Sequence, residues 1–210
     1  MMPEMNGFEL CEKLKTDART SHIPVILLTA KTTASEQIEG LSNGADIYLT
    51  KPFSNKALAL NVRNLLTLRK NLRNKFSEEL NSAPQLEKAV IIDAHFSSII
   101  DKDFYSILVD LIHEHIEDPE FGVTMLSRKV AMSAPILYKK IKALTDMSVN
   151  DFIKSIRMKK AAELLLKNEL NVSEVSYMVG YNDRKYFSRE FKKQYGKSPS
   201  DFMHDFKNSL

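Results

Sequence analysis

The chain has 210 residues, 43% of them hydrophobic, enough for one or two packed domains. Its single cysteine, Cys11, excludes a disulfide framework within the chain and fits a reducing cytosol, while no run approaches the ~18 apolar residues of a membrane span and the N-terminus lacks the regions of a signal peptide. The net charge of +3 hides an asymmetry: residues 1–121 carry 13 Lys/Arg against 18 Asp/Glu, residues 122–210 carry 17 against 9, so only the second part calls for a polyanionic partner.

In chain order, Pro3 forbids early helix and Asn6-Gly7 marks a turn. A helix is predicted from Phe8 to Lys15, with Cys11 on its apolar stripe and therefore buried. Val25-Ile26-Leu27-Leu28-Thr29 reads as a strand covered on both faces, as in a parallel sheet. A helix from Ala34 to Ser42 stops near Asn43-Gly44, and Asp46-Ile47-Tyr48-Leu49-Thr50 is a second short strand. Alternating strands and helices indicate a doubly wound α/β unit, whose function gathers at the carboxyl ends of the strands. Thr29 and Lys51 stand at two such ends, where a hydroxyl and an ammonium can grip a phosphoryl group.

Met1-Met2-Pro3-Glu4-Met5-Asn6-Gly7, Thr29-Ala30-Lys31, Gly44-Ala45-Asp46 and Tyr48 ahead of Lys51-Pro52-Phe53 together resemble the C-terminal part of a two-component receiver domain, over residues 1–66. The resemblance implies that Thr29 and Tyr48 are the switch pair and that Lys51 contacts the phosphate. It also implies a departure. A receiver's phosphorylated Asp ends the strand just before Met-Met-Pro, and this chain starts after it. Asp17, in a helix-to-strand loop, and Asp46, at the wrong end of its strand, cannot replace that acceptor. No phosphotransfer chemistry is expected of residues 1–66.

From Ser54 to about Leu80 the pattern is helical, with Leu58, Val62, Leu65, Leu66 and Leu72 as apolar positions; a dimerising coiled coil and a connecting helix both fit. Residues 81–103 read as a linker, with Val90-Ile91-Ile92 a brief strand-like or docking segment. Asp103 to Glu117 is the next helix, with Phe104, Ile107, Leu108, Leu111, Ile112 and His115 recurring at helical spacing. His113 and His115 are two apart on this helix, face different ways, and should share no metal.

The last ninety residues contain one pattern twice. Asp183 to Tyr195 gathers Tyr186, Phe187, Phe191 and Tyr195 on one side of a helix and Lys185, Ser188, Arg189 and Lys192 on the other. Gly196 can take positive φ after it, and Ser198-Pro199-Ser200-Asp201 starts a new helix at once. Fifty residues earlier, Pro135, Tyr138, Lys139 and Lys142 take the outer face and Ile136, Leu137 and Ile141 the inner one, with Ser133 as N-cap. A shorter helix and a tight turn precede each copy: Met125 to Ala131 before the first, Glu174 to Val179 before the second. Helix, tight turn and helix with a basic outer face is the helix-turn-helix arrangement. A longer helix, Ser148 to Asn168, lies between the copies; Phe152, Ile156, Met158, Ala161, Ala162, Leu165 and Leu166 should bury, with Lys154, Arg157, Lys159 and Lys160 wet or on phosphates.

Val179-Gly180-Tyr181, Tyr186-Phe187-Ser188, Phe191-Lys192-Lys193, Gly196 and Ser198-Pro199 make residues from about Tyr105 to Leu210 resemble an AraC-type DNA-binding domain; in the first copy Asp146 stands where that family has Gly, and Pro135 sits early in the helix. The expectation is a mainly α chain: a partial α/β unit at 1–66, a receiver remnant of flavodoxin-like kind; a helical extension and linker at 67–103; and an all-α tandem helix-turn-helix domain at 104–210. The expected function is sequence-specific DNA binding that controls transcription within a two-component phosphorelay, without enzymatic activity, metal or cofactor. Base contacts are assigned to Pro135, Tyr138, Lys139, Arg184, Lys185, Ser188 and Arg189, and backbone contacts to Lys142, Lys159, Lys160, Lys192 and Lys193. Double-stranded DNA, a histidine kinase module and a second copy are the expected partners, in the cytoplasm. The competing class is an interaction fragment whose receiver half docks a kinase or another receiver; it leaves the basic repeat unexplained.

Overall fold

The computed structural model describes residues 5–30, 38, 40, 42–81, 98–167 and 169–207. The predicted Ala34–Ser42 helix falls largely outside the described residues, and Val90-Ile91-Ile92 entirely so. Helix α1 (Gly7–Thr16) starts at Asn6, whose side chain accepts from the Phe8 and Glu9 amides while Glu9 reaches back to the Asn6 amide. Strands β1 (Ile26–Thr29) and β2 (Ile47–Thr50) pair in parallel, Thr29 opposite Thr50. The sheet order among described residues is β1-β2. β1 is not buried on both faces as predicted: Leu28 keeps 41% of its surface exposed, and Ile26 and Leu27 are half-buried. Cys11 is buried as expected.

Helix α2 (Asn55–Asn81) runs without a break through position 66. Helix α3 (Ile99–Glu114) starts four residues before the predicted Asp103, because the Ser98 hydroxyl accepts from the Asp101 amide and caps it. Phe104, Leu108 and Ile112 carry the buried face, while Ile107 points outward, 52% exposed.

Then follow α4 (Val123–Lys129), α5 (Ala134–Thr145), α6 (Val149–Lys167), α7 (Val172–Met178), α8 (Arg184–Tyr195) and α9 (Pro199–Lys207). Two apolar cores form around α6. Val149, Phe152, Ile153 and Ile156 join α3, α4 and α5 in the first. Met158, Ala161, Ala162 and Leu165 join α7 and α8 in the second. Each half is too small to bury its apolar surface alone, so both share one helix. At 1.5 Å per residue, the 19 residues of α6 hold them apart over about 28 Å.

At the seam lies Arg157, expected in water but only 7% exposed. Its Nη2 donates to the Asp118 carbonyl at 2.5 Å and its Nη1 to Gly180 at 3.4 Å. The guanidinium thereby ties the α3–α4 loop to the turn before α8. Burial pushes its pKa down. Leu166, also expected to bury, is half-buried.

Candidate nucleic-acid interface

The second helix-turn-helix unit is α7, a turn and α8. Asn171 and Glu174 form a capping box at the start of α7, and the Asp183 carboxylate caps α8 by accepting from the Lys185 and Tyr186 amides, 2.7 and 3.1 Å away. The turn needs Gly180, at φ +77; a Cβ there would meet the Ile116 carbonyl oxygen at 2.6 Å. Phe187 and Phe191 are fully buried, their rings 5.8 Å apart. Arg184, Lys185, Arg189, Lys192 and Lys193 are exposed on the opposite side, and Ser188 is half-buried among them.

Tyr186 sits at the border of the two faces rather than in the core. Arg189 lies over its ring at 5.0 Å, Lys154 at 5.8 Å. Lys154 also pairs with Glu190 at 3.3 Å, so this cation is held against α8. A cleft of about 550 Å³ opens between Lys154, Arg157, Lys185 and Arg189.

The first unit repeats the second with a correction to the register. Val123–Lys129 and Val172–Met178 are offset by 49 residues; Ala134–Thr145 and Arg184–Tyr195 are offset by 50. The additional residue lies in the second turn. Ala131, at φ +52, therefore corresponds to Gly180, and both shorter helices start earlier than predicted. Met132 donates to Ser127 and Tyr181 to Ser176, each at 3.0 Å, so the turns close alike. Asp146 takes the left-handed conformation of Gly196, φ +61 against +75, which answers the departure noted in the sequence. Ser133 is the N-cap by position but its hydroxyl makes no capping bond. Pro135, Tyr138, Lys139 and Lys142 all lie exposed along α5; Lys142 pairs with Asp146 at 2.9 Å. Lys159 and Lys160 are half-buried on α6, Lys160 close to Glu163 at 3.5 Å.

In the α/β unit, the Lys51 amide donates to the Thr29 carbonyl at 2.7 Å, bringing those two residues together at the strand ends. Tyr48 is turned into the interior, its ring stacked on Phe8 at 6.3 Å. Asp46 accepts from Lys15 (2.6 Å), Arg69 (2.8 Å) and the Val25 amide (2.8 Å), a structural knot that holds its pKa low despite burial. Among the described residues no His, Cys, Asp and Glu cluster could hold a metal ion.

Sequence reasoning missed Lys140. It lies between Leu137 and Ile141 on the inner arc of α5 and is fully buried. Its Nζ donates to Asp101 Oδ1 (2.6 Å), Ser21 Oγ (2.8 Å) and the Ala18 carbonyl (2.6 Å). A Lys on an apolar arc was the available signal.

Two helix-turn-helix units on one connecting helix, each with an exposed basic arc, define the class: a DNA-binding regulator of transcription. Comparison agrees. Residues 126–205 match the model of a helix-turn-helix domain, and residues 1–63 that of the response regulator receiver domain. Over 206 residues the chain is 38% identical to histidine kinase P4 of Formosa agariphila, a match covering 98% of this chain and 14% of that protein. It is 44% identical over 86 residues to the DNA-binding dual master transcriptional regulator RpaA of Synechocystis, 40% of this chain and 36% of that one. The C-terminal domain of the two-component response regulator yesN from Fusobacterium nucleatum is 31% identical, with a TM-score of 0.45, over 48% of this chain and 98% of that structure. The chain thus spans well under half the length of these two curated relatives.

Residues 1–63 are thus similar to the response regulator receiver family, and residues 126–205 to a helix-turn-helix domain family. These are families of regulator domains rather than enzymes. No described helix is long and apolar enough to cross a membrane.

Proposed function

We propose that the chain is the output end of a two-component phosphorelay and binds specific DNA through α5 and α8 in successive major grooves. The observation that carries this is the pair of exposed basic arcs on helices tied to opposite ends of α6. Its length of about 28 Å approaches the 34–36 Å between successive major-groove faces. In this reading Arg184, Lys185, Ser188 and Arg189 on α8, with Pro135, Tyr138 and Lys139 on α5, meet base edges. Lys142, Lys159, Lys160, Lys192 and Lys193 hold the backbone. Arg189 would leave the Tyr186 ring to offer its planar fork to guanine.

Thr29, Tyr48 and Lys51 are proposed as the switch residues of the receiver segment, and residues 1–66, 67–103 and 104–210 as its three parts. A histidine kinase module is the proposed upstream partner; the match of nearly the whole chain to a small part of a named histidine kinase supports this. A second copy is the other proposed partner, seated on the exposed apolar positions Val62 and Leu66 of α2.

The test is DNA selected from a random pool, then a panel of single-base substitutions at several salt concentrations. Arg189→Ala should cost about 1–3 kcal/mol and relax the choice at one position; Lys193→Ala should weaken all sequences alike and lower the salt slope by about one. Affinity that is flat between low and moderate salt would reject the reading.

A further inference from the structure

We infer that the loop Asp17–Ile23 of the receiver segment is a clasp that keeps the first reading helix, α5, out of the major groove, with Lys140, Asp101 and Ser21 as its latch. The inference rests on the proposed groove insertion of α5 and α8 and adds a control on one of them.

The latch joins three distant segments. Lys140 from α5 donates to Asp101 of α3, to the Ser21 hydroxyl and to the Ala18 carbonyl. The Ser21 hydroxyl donates in turn to Asp101 Oδ1 at 2.7 Å. Lys140 and Asp101 are both 0% exposed, Ser21 only 1%. The ammonium also stands 4.6 Å from the centre of the Phe104 ring. A contact this dry is specific, because any buried charge left without its partners is costly.

The clasp is stiff from its own side. Arg69 of α2 donates to the His22 carbonyl at 2.7 Å, and Lys15 of α1 to the Ile23 carbonyl at 2.9 Å. The same two cations share Asp46, so loop, α1 and α2 move as one piece. Helix α2 packs on α5 and α6 as well, holding the helix from a second side.

Position makes the contact inhibitory. The loop faces the base-reading turn: a cleft of about 360 Å³ lies between Asp17, Arg19, Thr20, His22 and the α5 residues Ile136 and Lys139. A helix with its side chains is about 10–12 Å across and the major groove about 12 Å wide. A helix in the groove therefore has a phosphate strand against each flank. The loop occupies one flank, with the Asp17 carboxylate paired to Arg19 of the same loop. Insertion of α5 requires the latch to open. The outer residues of both reading helices are exposed, but the cleft beside α8 is lined only by residues between Pro119 and Arg189, none of them from the receiver segment. Closed, the chain reads one groove; open, it reads two.

Ser21→Asp tests this in the full chain. It sets a second carboxylate beside Asp101 and lies outside both helix-turn-helix units. Hydroxyl-radical footprints on DNA selected by the variant should show one protected groove for the wild type and two for the variant. Affinity should rise at least about fivefold. Ser21→Ala, which merely removes a hydroxyl, should shift affinity the same way by less and covers the case in which the aspartate variant misfolds, as read by circular dichroism. Two protected grooves in the wild type, or one in both folded variants, overturns the clasp. Protection of no groove by any of the proteins overturns the groove reading itself and the clasp with it.

Discussion

Replacing Lys140 by Met measures what the buried latch contributes to the fold. The thioether fills most of the aliphatic space and removes only the ammonium. Asp101 would then keep one partner on Oδ1, the Ser21 hydroxyl, while its Oδ2 has no hydrogen-bond partner in the intact protein either. Breaking one side of a buried ion pair costs about 3–5 kcal/mol. The carboxylate lies in the first turn of α3 with or without the ammonium, so the helix N-terminus does not change the difference. The expected loss is therefore roughly 3–5 kcal/mol, or a fall in Tm of about 6–20 °C for a chain of this size. Lys140→Met with Asp101→Leu should recover most of it, since an apolar pair of similar volume replaces an ion pair at little cost. Urea unfolding at pH 7, followed by circular dichroism, supplies both numbers. A single-variant loss below about 1 kcal/mol would show that the ammonium is not the buried partner described here, and a double variant no better than the single would refute the uncompensated-charge reasoning.

His22 should give the acid limb of stability a distinct component. Burial, and then the neighbouring Lys140, push its pKa down to about 4, with Asp101 opposing and Arg69 and Lys15 adding to the shift. The unfolded chain therefore takes up the proton first: the contribution is whole above pH 6.5 and is lost as pH falls towards 4, at most about 3 kcal/mol, and it should be missing from the stability–pH curve of His22→Gln. Gly180→Ala and Gly196→Ala both force a left-handed alanine, at about 1–2 kcal/mol. Gly180 meets the Ile116 carbonyl in addition while Gly196 has nothing within 4 Å, so thermal unfolding should rank the first clearly worse; equal losses would refute the steric part. Asp183→Ala should cost about 1 kcal/mol through the lost cap of α8, whereas Ser133→Ala, with no capping bond to lose, should cost only a few tenths, and a comparable loss in both would contradict the cap geometry.

The features legible in the sequence were those that a helix or turn reports about itself. Phe187 and Phe191 at i and i+4, with basic residues opposite, needed no tertiary knowledge to yield α8 and its faces. Gly196 and Ser198-Pro199 marked the next boundary by local backbone chemistry alone. The repeat was legible too, but a single offset of 50 hid the additional residue in the second turn, because a constant shift aligns residue types and not φ. Ala131 and Gly180 match by backbone conformation, which alanine does not advertise.

What escaped were residues whose partners lie far along the chain. Lys140 and Arg157 both carry long apolar stems, so on a helical wheel each resembles a side chain that buries its stem and wets its charge. Their full burial depends on acceptors 23 to 122 residues away: the Gly180, Asp118 and Ala18 carbonyls, Ser21 and Asp101. No periodicity encodes such a set. The charge asymmetry had separated an acidic part from a basic one, and that separation suggested two independent pieces. The dry contact reverses the inference. Net charge does not hold the two segments together, since residues 1–66 carry 7 Lys/Arg and 7 Asp/Glu and the acidic excess lies further along the chain. What joins them is the buried set of Lys140, Asp101 and Ser21, a contact of geometry that no charge count reports.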